Sequence, residues 1–330
     1  MRRRALLGAA SAGLAALTAG RPLGLRALAQ ESWPDRPIRL IVPYPPGGGT
    51  DMVGRAVASG ITKSTGWNIV IDNRPGAGGN LGLDALAKSA ADGYTIAVGQ
   101  TSNLAINPSL YPLMPYEPLR DLTFVSLLAR QPVVLVVRRD SPFRSLADVL
   151  AAAKAKPGEL TAGHPGSGTV GHLVGEMLAH RTGVQWTEVP YRGAAQVATD
   201  LLAGRVDLYF ANPPSVRGFL DSGDLRALAV TSAERMPVLP AVPTIAESGF
   251  PGFEALNWTG LVAPARLPAP ILDRLNAEAR KALQLDEVRS QFAGEGMTPL
   301  GSSPEEFRRY VADEIPKWRE IVQAAQVQVD

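Results

Sequence analysis

Cysteine is absent from the 330 residues, and histidine occurs only three times. Without cysteine there is no disulfide framework and no thiolate chemistry. The histidines, His164, His172 and His180, are spaced by eight. On one helix His172 and His180 would stand about 12 Å apart along the axis, too far to share a metal. They are read as solvated or hydrogen-bonding side chains, with His172, one turn into its helix, able to face a cleft. The serine-nucleophile elbow Gly-x-Ser-x-Gly is missing too. Ser167 is flanked Pro165-Gly166-Ser167-Gly168, and no nucleophile stands out. Neither glycine-rich loop contains lysine or ends in Gly-Lys-Ser/Thr, which excludes a nucleotide triphosphate. Beyond the first thirty residues no run reaches the roughly 20 apolar residues of a membrane span.

What is present begins with Met1-Arg-Arg-Arg4, a small-apolar run from Ala5 to Ala19, and Ala27-Leu28-Ala29 before Gln30. These are the three regions of an export signal, with cleavage expected before Gln30. Arg3-Arg4-Ala5-Leu6-Leu7 fits a twin-arginine route as well as an ordinary secretory one. The leader holds five of the 33 basic residues and none of the 31 acidic ones, so the mature chain carries net −3. The basic pI belongs to the leader, and nucleic acid is not an expected partner.

The rest is organised around Arg39–Ala58. Leu40 to Val42 reads as a buried parallel strand. Pro43, Pro45 and Pro46 stop it, Gly47-Gly48-Gly49 follows, and a helix is expected from Thr50-Asp51. Strand, glycine turn and helix start together form an anion-binding device of bare N–H groups backed by the helix dipole. With no lysine in it, a small carboxylate is the expected ligand. Strands at Asn68–Asp72 and Tyr94–Gly99 and a helix at Leu81–Ala90 continue a β-α-β-α-β rhythm, the mark of a doubly wound sheet. A polar turn, Gln100-Thr101-Ser102-Asn103, ends it. Phe124–Leu128 and Val133–Val137 are β-rich with no helix between them and suggest a crossover into a second lobe. There, a capping box at Ser145–Asp148 starts a helix. A strand at Leu160–Gly163 then leads into a second glycine loop, His164–Thr169, that opens another helix. Strands at Gln185–Tyr191, Val206–Phe210 and Leu225–Thr231 follow. Leu256–Ala263 is expected to return the chain to the first lobe, which helices at Ala269–Leu285 and from Ser303 complete.

Several motifs, in order, are similar to those of one family. Trp33–Ile38, Val42–Asp51 and Asn73-Arg-Pro-Gly-Ala-Gly-Gly-Asn80 resemble the N-terminal signature of the Bug family, the extracytoplasmic solute receptors of tripartite tricarboxylate transporters. Asp92–Thr95, Gly166–Thr169, Val189–Gly193, Gly204–Leu208 and Val242–Gly249 resemble its later motifs. The resemblance implies an α/β, two-lobed type II periplasmic binding fold with doubly wound sheets joined by a two-strand hinge. Residues 30–130 and 258–330 would form lobe 1 and 131–257 lobe 2, after a leader at 1–29. It also implies a carboxylate ligand held at two loop–helix termini, partly through water, and membrane permease subunits as partners. No cofactor, no metal and no chemistry are expected, and the receptor is expected to be monomeric.

The candidate ligand residues are Tyr44, Gly48, Gly49, Thr50, Asp51, Thr101 and Ser102 from lobe 1. Lobe 2 offers Ser167, Gly168, Thr169, His172 and Asp207. Asp51 has two readings. Its oxygens can cap the first helical turn, or they can bind an amino group or a bridging water of the ligand. Asp207 likewise either faces the ligand or is buried and paired. Trp67, Trp186, Trp258 and Trp318 are read as core or interlobe packing, with Trp258 a possible reporter of closure. The rival from another class is an exported nucleotide-cofactor oxidoreductase. It rests on Gly166-x-Gly168-x-x-Gly171 with Glu188 near the expected acidic position, a lone match of low specificity.

Overall fold

Each strand forms where an apolar run is cut off by glycine, proline or a polar cluster, and the chain alternates such runs with amphipathic helices. In chain order these are β1 (Ile38–Val42), α1 (Gly49–Thr65), β2 (Ile69–Asn73), α2 (Asn80–Ala87), β3 (Thr95–Gln100) and a long β4 (Leu122–Pro132). Then come β5 (Val134–Arg138), α3 (Leu146–Ala155), β6 (Thr161–His164), α4 (Val170–Thr182), β7 (Thr187–Pro190), α5 (Ala194–Leu202), β8 (Leu208–Ala211) and β9 (Leu225–Val230). The chain closes with β10 (Leu256–Pro264), α6 (Ala269–Gln284), α7 (Asp286–Gly294), β11 (Thr298–Pro299) and α8 (Pro304–Ala325). The structure is a computed structural model that describes residues 33–327. The expected leader and its cleavage site lie outside the described residues. The Trp33–Pro34 peptide bond is cis.

Two sheets result. The first has the order β11-β4-β10-β3-β1-β2 and the second β7-β6-β8-β5-β9. In the first, β1 is parallel to both β2 and β3, while β10 runs antiparallel between β3 and β4. In the second, β6 is parallel to β7 and β8, and β5 is antiparallel to β8 and β9. Strand order therefore reverses beside β1 in one sheet and beside β6 in the other. Ligands of open α/β sheets sit beyond the carboxyl ends of strands at such reversals. The loops after β1 and β6 are the two glycine-rich ones.

The chain passes between the sheets twice, at Val133 and near Ala255, and Thr231 joins the two crossings. Val133 N–H donates to Thr231 Oγ1 (2.8 Å), Thr231 N–H to Val133 O (3.0 Å) and Ala255 N–H to Thr231 O (3.1 Å). The main hydrophobic core joins residues of both sheets, and within it Phe307 of α8 packs edge-on against Trp258 of β10. Glu314 holds that contact, accepting from the indole N–H groups of Trp258 (2.9 Å) and Trp318 (2.8 Å). Trp258 thus faces α8 rather than a cleft, which removes it as a reporter of closure. The capping boxes at Ser145 and Ser303 are both formed. The expected polar turn at 100–103 is instead the entry to a helical segment over 102–110. Asn103 Oδ1 accepts the Gln100 N–H at 2.9 Å and so starts the coil locally. No helix among the described residues is long and apolar enough to cross a membrane.

Candidate functional site

The first loop delivers its helix with open donors. Gly48 caps α1 without a side chain, so the first-turn N–H groups of Gly49, Thr50 and Asp51 have no intrahelical acceptor. Asp51 does not cap this turn as expected. Its Oδ2 reaches back to the Gly47 N–H (3.0 Å) and accepts from Arg55 Nε (2.8 Å), while Oδ1 accepts from Asn73 Nδ2 (2.9 Å). Burial alone would raise its pKa, but the bonds from Arg55, Asn73 and Gly47 outweigh that and hold it below the usual carboxylate range. The carboxylate shapes the loop and is committed to three protein donors.

Around it stand the other first-lobe candidates. Thr50 Oγ1 donates to Gln100 Oε1 at 2.7 Å. Tyr44 donates its hydroxyl to Gly78 O (3.0 Å) and accepts from Asn103 Nδ2 (3.3 Å), and burial raises its pKa. Thr101 is not available to a ligand. Its hydroxyl accepts the Trp258 N–H (2.9 Å) and donates to Asn257 Oδ1 (3.2 Å), tying the end of β3 to β10. Ser102 is buried, with its side chain beside the Tyr44 hydroxyl. Sequence reasoning missed Gln131, Asn257, Thr259 and Asn212. Asn257 Nδ2 donates to Asn212 Oδ1 (3.2 Å), a polar link from the first sheet to the carboxyl end of β8.

In the second loop Thr169 is the N-cap of α4. Its hydroxyl accepts from His172 N–H (3.5 Å) and donates to Gly166 O (2.8 Å), so it serves the loop itself. Gly168 N–H donates to His172 Nδ1 at 3.1 Å, which withdraws that amide as well. Ser167 lies half-buried at the middle of the loop, and the N–H groups of Val170 and Gly171 open α4 without intrahelical acceptors. Gly168 has φ +76°, and any Cβ there would collide with Leu110 of the first lobe. The two lobes therefore meet at this residue. Asp207 is removed from the site. It sits at the amino end of β8, where its Oδ2 accepts from Thr161 N–H (2.9 Å) and Thr161 Oγ1 (2.8 Å). The ligand end of that strand is at Ala211.

His164 and His172 come together, with rings stacked at 4.1 Å and 12°, a contact that the sequence spacing did not announce. Glu188 Oε2 lies 3.8 Å from His164 Nε2, completing a cluster of metal-ligating type. Ring nitrogens offer their lone pairs in the ring plane, so two cofacial imidazoles cannot aim at one ion in this arrangement. Both rings are buried and neutral: burial lowers the pKa of His164, and burial with the neighbouring His164 brings His172 to about 3. Burial, and then the charge of Glu176, pushes Glu188 up to about 8. Gly171, the third glycine of the dinucleotide-like spacing, packs α4 on β8, where a Cβ would strike the Phe210 carbonyl. With Leu110 seated on Gly168, this spacing serves helix–strand and lobe–lobe packing.

Two α/β lobes, each offering a glycine-rich helix start at its strand reversal, define a solute-binding architecture. The family model for the tripartite tricarboxylate transporter family receptor, TctC, matches residues 53–327. Protein BugT of Bordetella pertussis is 42% identical over 293 residues, which span 88% of this chain and 90% of that one. The structure of R. palustris Rpa4515 with adipate superposes with a TM-score of 0.86 at 39% identity, covering 90% of this chain and 99% of that chain. MatC (Rpa3494) from Rhodopseudomonas palustris with bound malate gives 0.81 at 33% identity, covering 88% and 100%. The chain belongs to the tripartite tricarboxylate transporter receptor (Bug/TctC) family, as its ordered motifs suggested.

Proposed function

We propose that this chain, exported and processed before Gln30, captures a small carboxylate between its lobes and presents it to the permease subunits of a tripartite transporter. It acts as a monomer and performs no chemistry on its cargo. The observation that carries this reading is the first turn of α1, which no side chain caps and whose N–H groups at Gly49, Thr50 and Asp51 follow a loop without a cation. The partly open start of α4 at Ser167–Gly171 supports a second contact. Charge-assisted hydrogen bonds of this kind contribute about 1.5–3 kcal/mol each. A few of them reach micromolar affinity after ordering costs. The adipate and malate in two structural relatives fit the same chemistry. Thermal-shift screening of a carboxylate library tests the reading. A ligand at a hundred times its Kd should stabilise the protein by about 2.7 kcal/mol, and no shift with any carboxylate would overturn it.

A further inference from the structure

The face of the first sheet beneath the start of α1 is polar where a covered sheet face is ordinarily apolar. Register identifies its members. Gln131 stands opposite Asn257, Ala129 opposite Thr259, and Gln100 opposite Thr259. Opposed residues of an antiparallel pair point to the same side, so Gln100, Gln131, Asn257 and Thr259 share one face. The Thr50–Gln100 hydrogen bond, and a distance of 3.2 Å from a Cβ built on Gly49 to Gln131 Nε2, place that face under the first turn of α1.

Two polar atoms of this face lack a hydrogen-bond partner, Gln131 Oε1 and Thr259 Oγ1. Both residues are only 4% exposed. Gln100 and Asn257 on the same face are satisfied by Thr50, Thr101 and Asn212, so the deficit is confined to one spot. Buried groups left unpaired cost stability and call for an explanation. Here the spot adjoins the anion-binding turn, and the unpartnered Gln131 Oε1 is an acceptor. A ligand group that completes it must therefore carry a proton, which a carboxylate does not. A hydroxyl both donates and accepts, so it can serve the glutamine amide in either orientation together with the threonine hydroxyl. A keto oxygen would leave the glutamine oxygen unmet.

We infer that Gln131 and Thr259 form a subsite for a hydroxyl group next to the carboxylate held by α1, so that this receptor selects 2-hydroxycarboxylates over their deoxy counterparts. This rests on the carboxylate reading above. A site built to hydrogen-bond a ligand hydroxyl rejects the analogue lacking it, because its own groups are then left unpaired.

Calorimetry tests it on protein unfolded and refolded to strip copurified ligand, with two matched pairs: malate against succinate, and 2-hydroxyadipate against adipate. The hydroxylated member of at least one pair should bind about tenfold more tightly or better. Thr259→Val keeps the shape and removes only the unpartnered hydroxyl. It should cut that preference several-fold while leaving the melting temperature of the unliganded protein unchanged or higher. Gln131→Leu should cut the preference as well. Equal affinity within both pairs, or a preference that survives both substitutions, overturns the subsite and leaves the carboxylate reading standing. If none of the four compounds binds and the wider library gives no thermal shift, the carboxylate reading falls, and the subsite with it.

Discussion

Removing the Asp51 carboxylate would strand three donors at once, the Gly47 N–H, the Asn73 amide and the Arg55 guanidinium. Arg55 is half-exposed and can turn to water, whereas the Asp51 side chain itself is buried. Asp51→Ala should therefore cost about 2–4 kcal/mol of stability, seen as a lower urea midpoint with an unchanged slope. Arg55→Gln leaves Asp51 two of its donors and should alter ligand affinity little, which calorimetry on the two variants checks. At this scale the sequence was partly legible. A carboxylate two residues after a glycine turn signals a local hydrogen-bonding role. Its partner Asn73 lies at the end of β2, and nothing local points to it. Gln131 and Thr259 were invisible for the same reason, because a lone polar residue in a strand acquires meaning only when its pairing strand is known. Here that strand is more than a hundred residues away.

At the scale of elements, α4 and β7 carry two groups with large shifts of opposite sign. Glu188, pushed up from an ordinary 4.5 to about 8, keeps a proton in the folded protein that the unfolded chain has lost. Stability contributed by this group falls as pH rises through that window. His172, brought down from 6.5 to about 3, acts oppositely: the unfolded chain binds a proton that the folded protein refuses, so its contribution grows as pH rises from 3 to 6.5. The two slopes oppose each other between about 4.5 and 6.5, and above that only the Glu188 slope remains of the pair. The melting temperature should fall between pH 6.5 and 8.5, corresponding to at most about 1.4 kcal/mol per pH unit. Glu188→Gln should abolish most of that fall, which calorimetric melts at several pH values will show. The elements themselves were readable because apolar runs and capping signals marked them. The exceptions have causes. α7 follows α6 across a single extended residue, Leu285, with no glycine or proline to announce the break. The His164–His172 stack forms because the glycine loop folds back on its own helix, which residue spacing along one helix does not reveal.

At the scale of the molecule, the lobes touch where Leu110 meets Gly168. Gly168→Ala adds a methyl at this contact and strains a residue at φ +76°. The variant should hold the lobes apart, with a larger radius of gyration by small-angle scattering and weaker ligand binding. Unchanged scattering with full affinity would show that the contact does not govern closure. The alternation of strands and helices announced two lobes from the sequence. The adjacency of the crossings at Val133 and Ala255 did not show, because it depends on Thr231 bonding to both.

The position of β10 fixes an order of events during synthesis. All strands of the second sheet come from one continuous stretch, 134–230, whereas the first sheet cannot close until residues 256–264 arrive to fill the gap between β3 and β4. A nascent chain therefore carries a completable second lobe while the first still has two open edges facing each other, and such long-range pairing is the slow part of folding. Pulsed hydrogen exchange during refolding should protect the amides of β5, β6 and β8 before those of β3 and β4. A chain halted before residue 256 would be half a receptor with an exposed, strand-hungry seam, the species that a chaperone or a protease meets first.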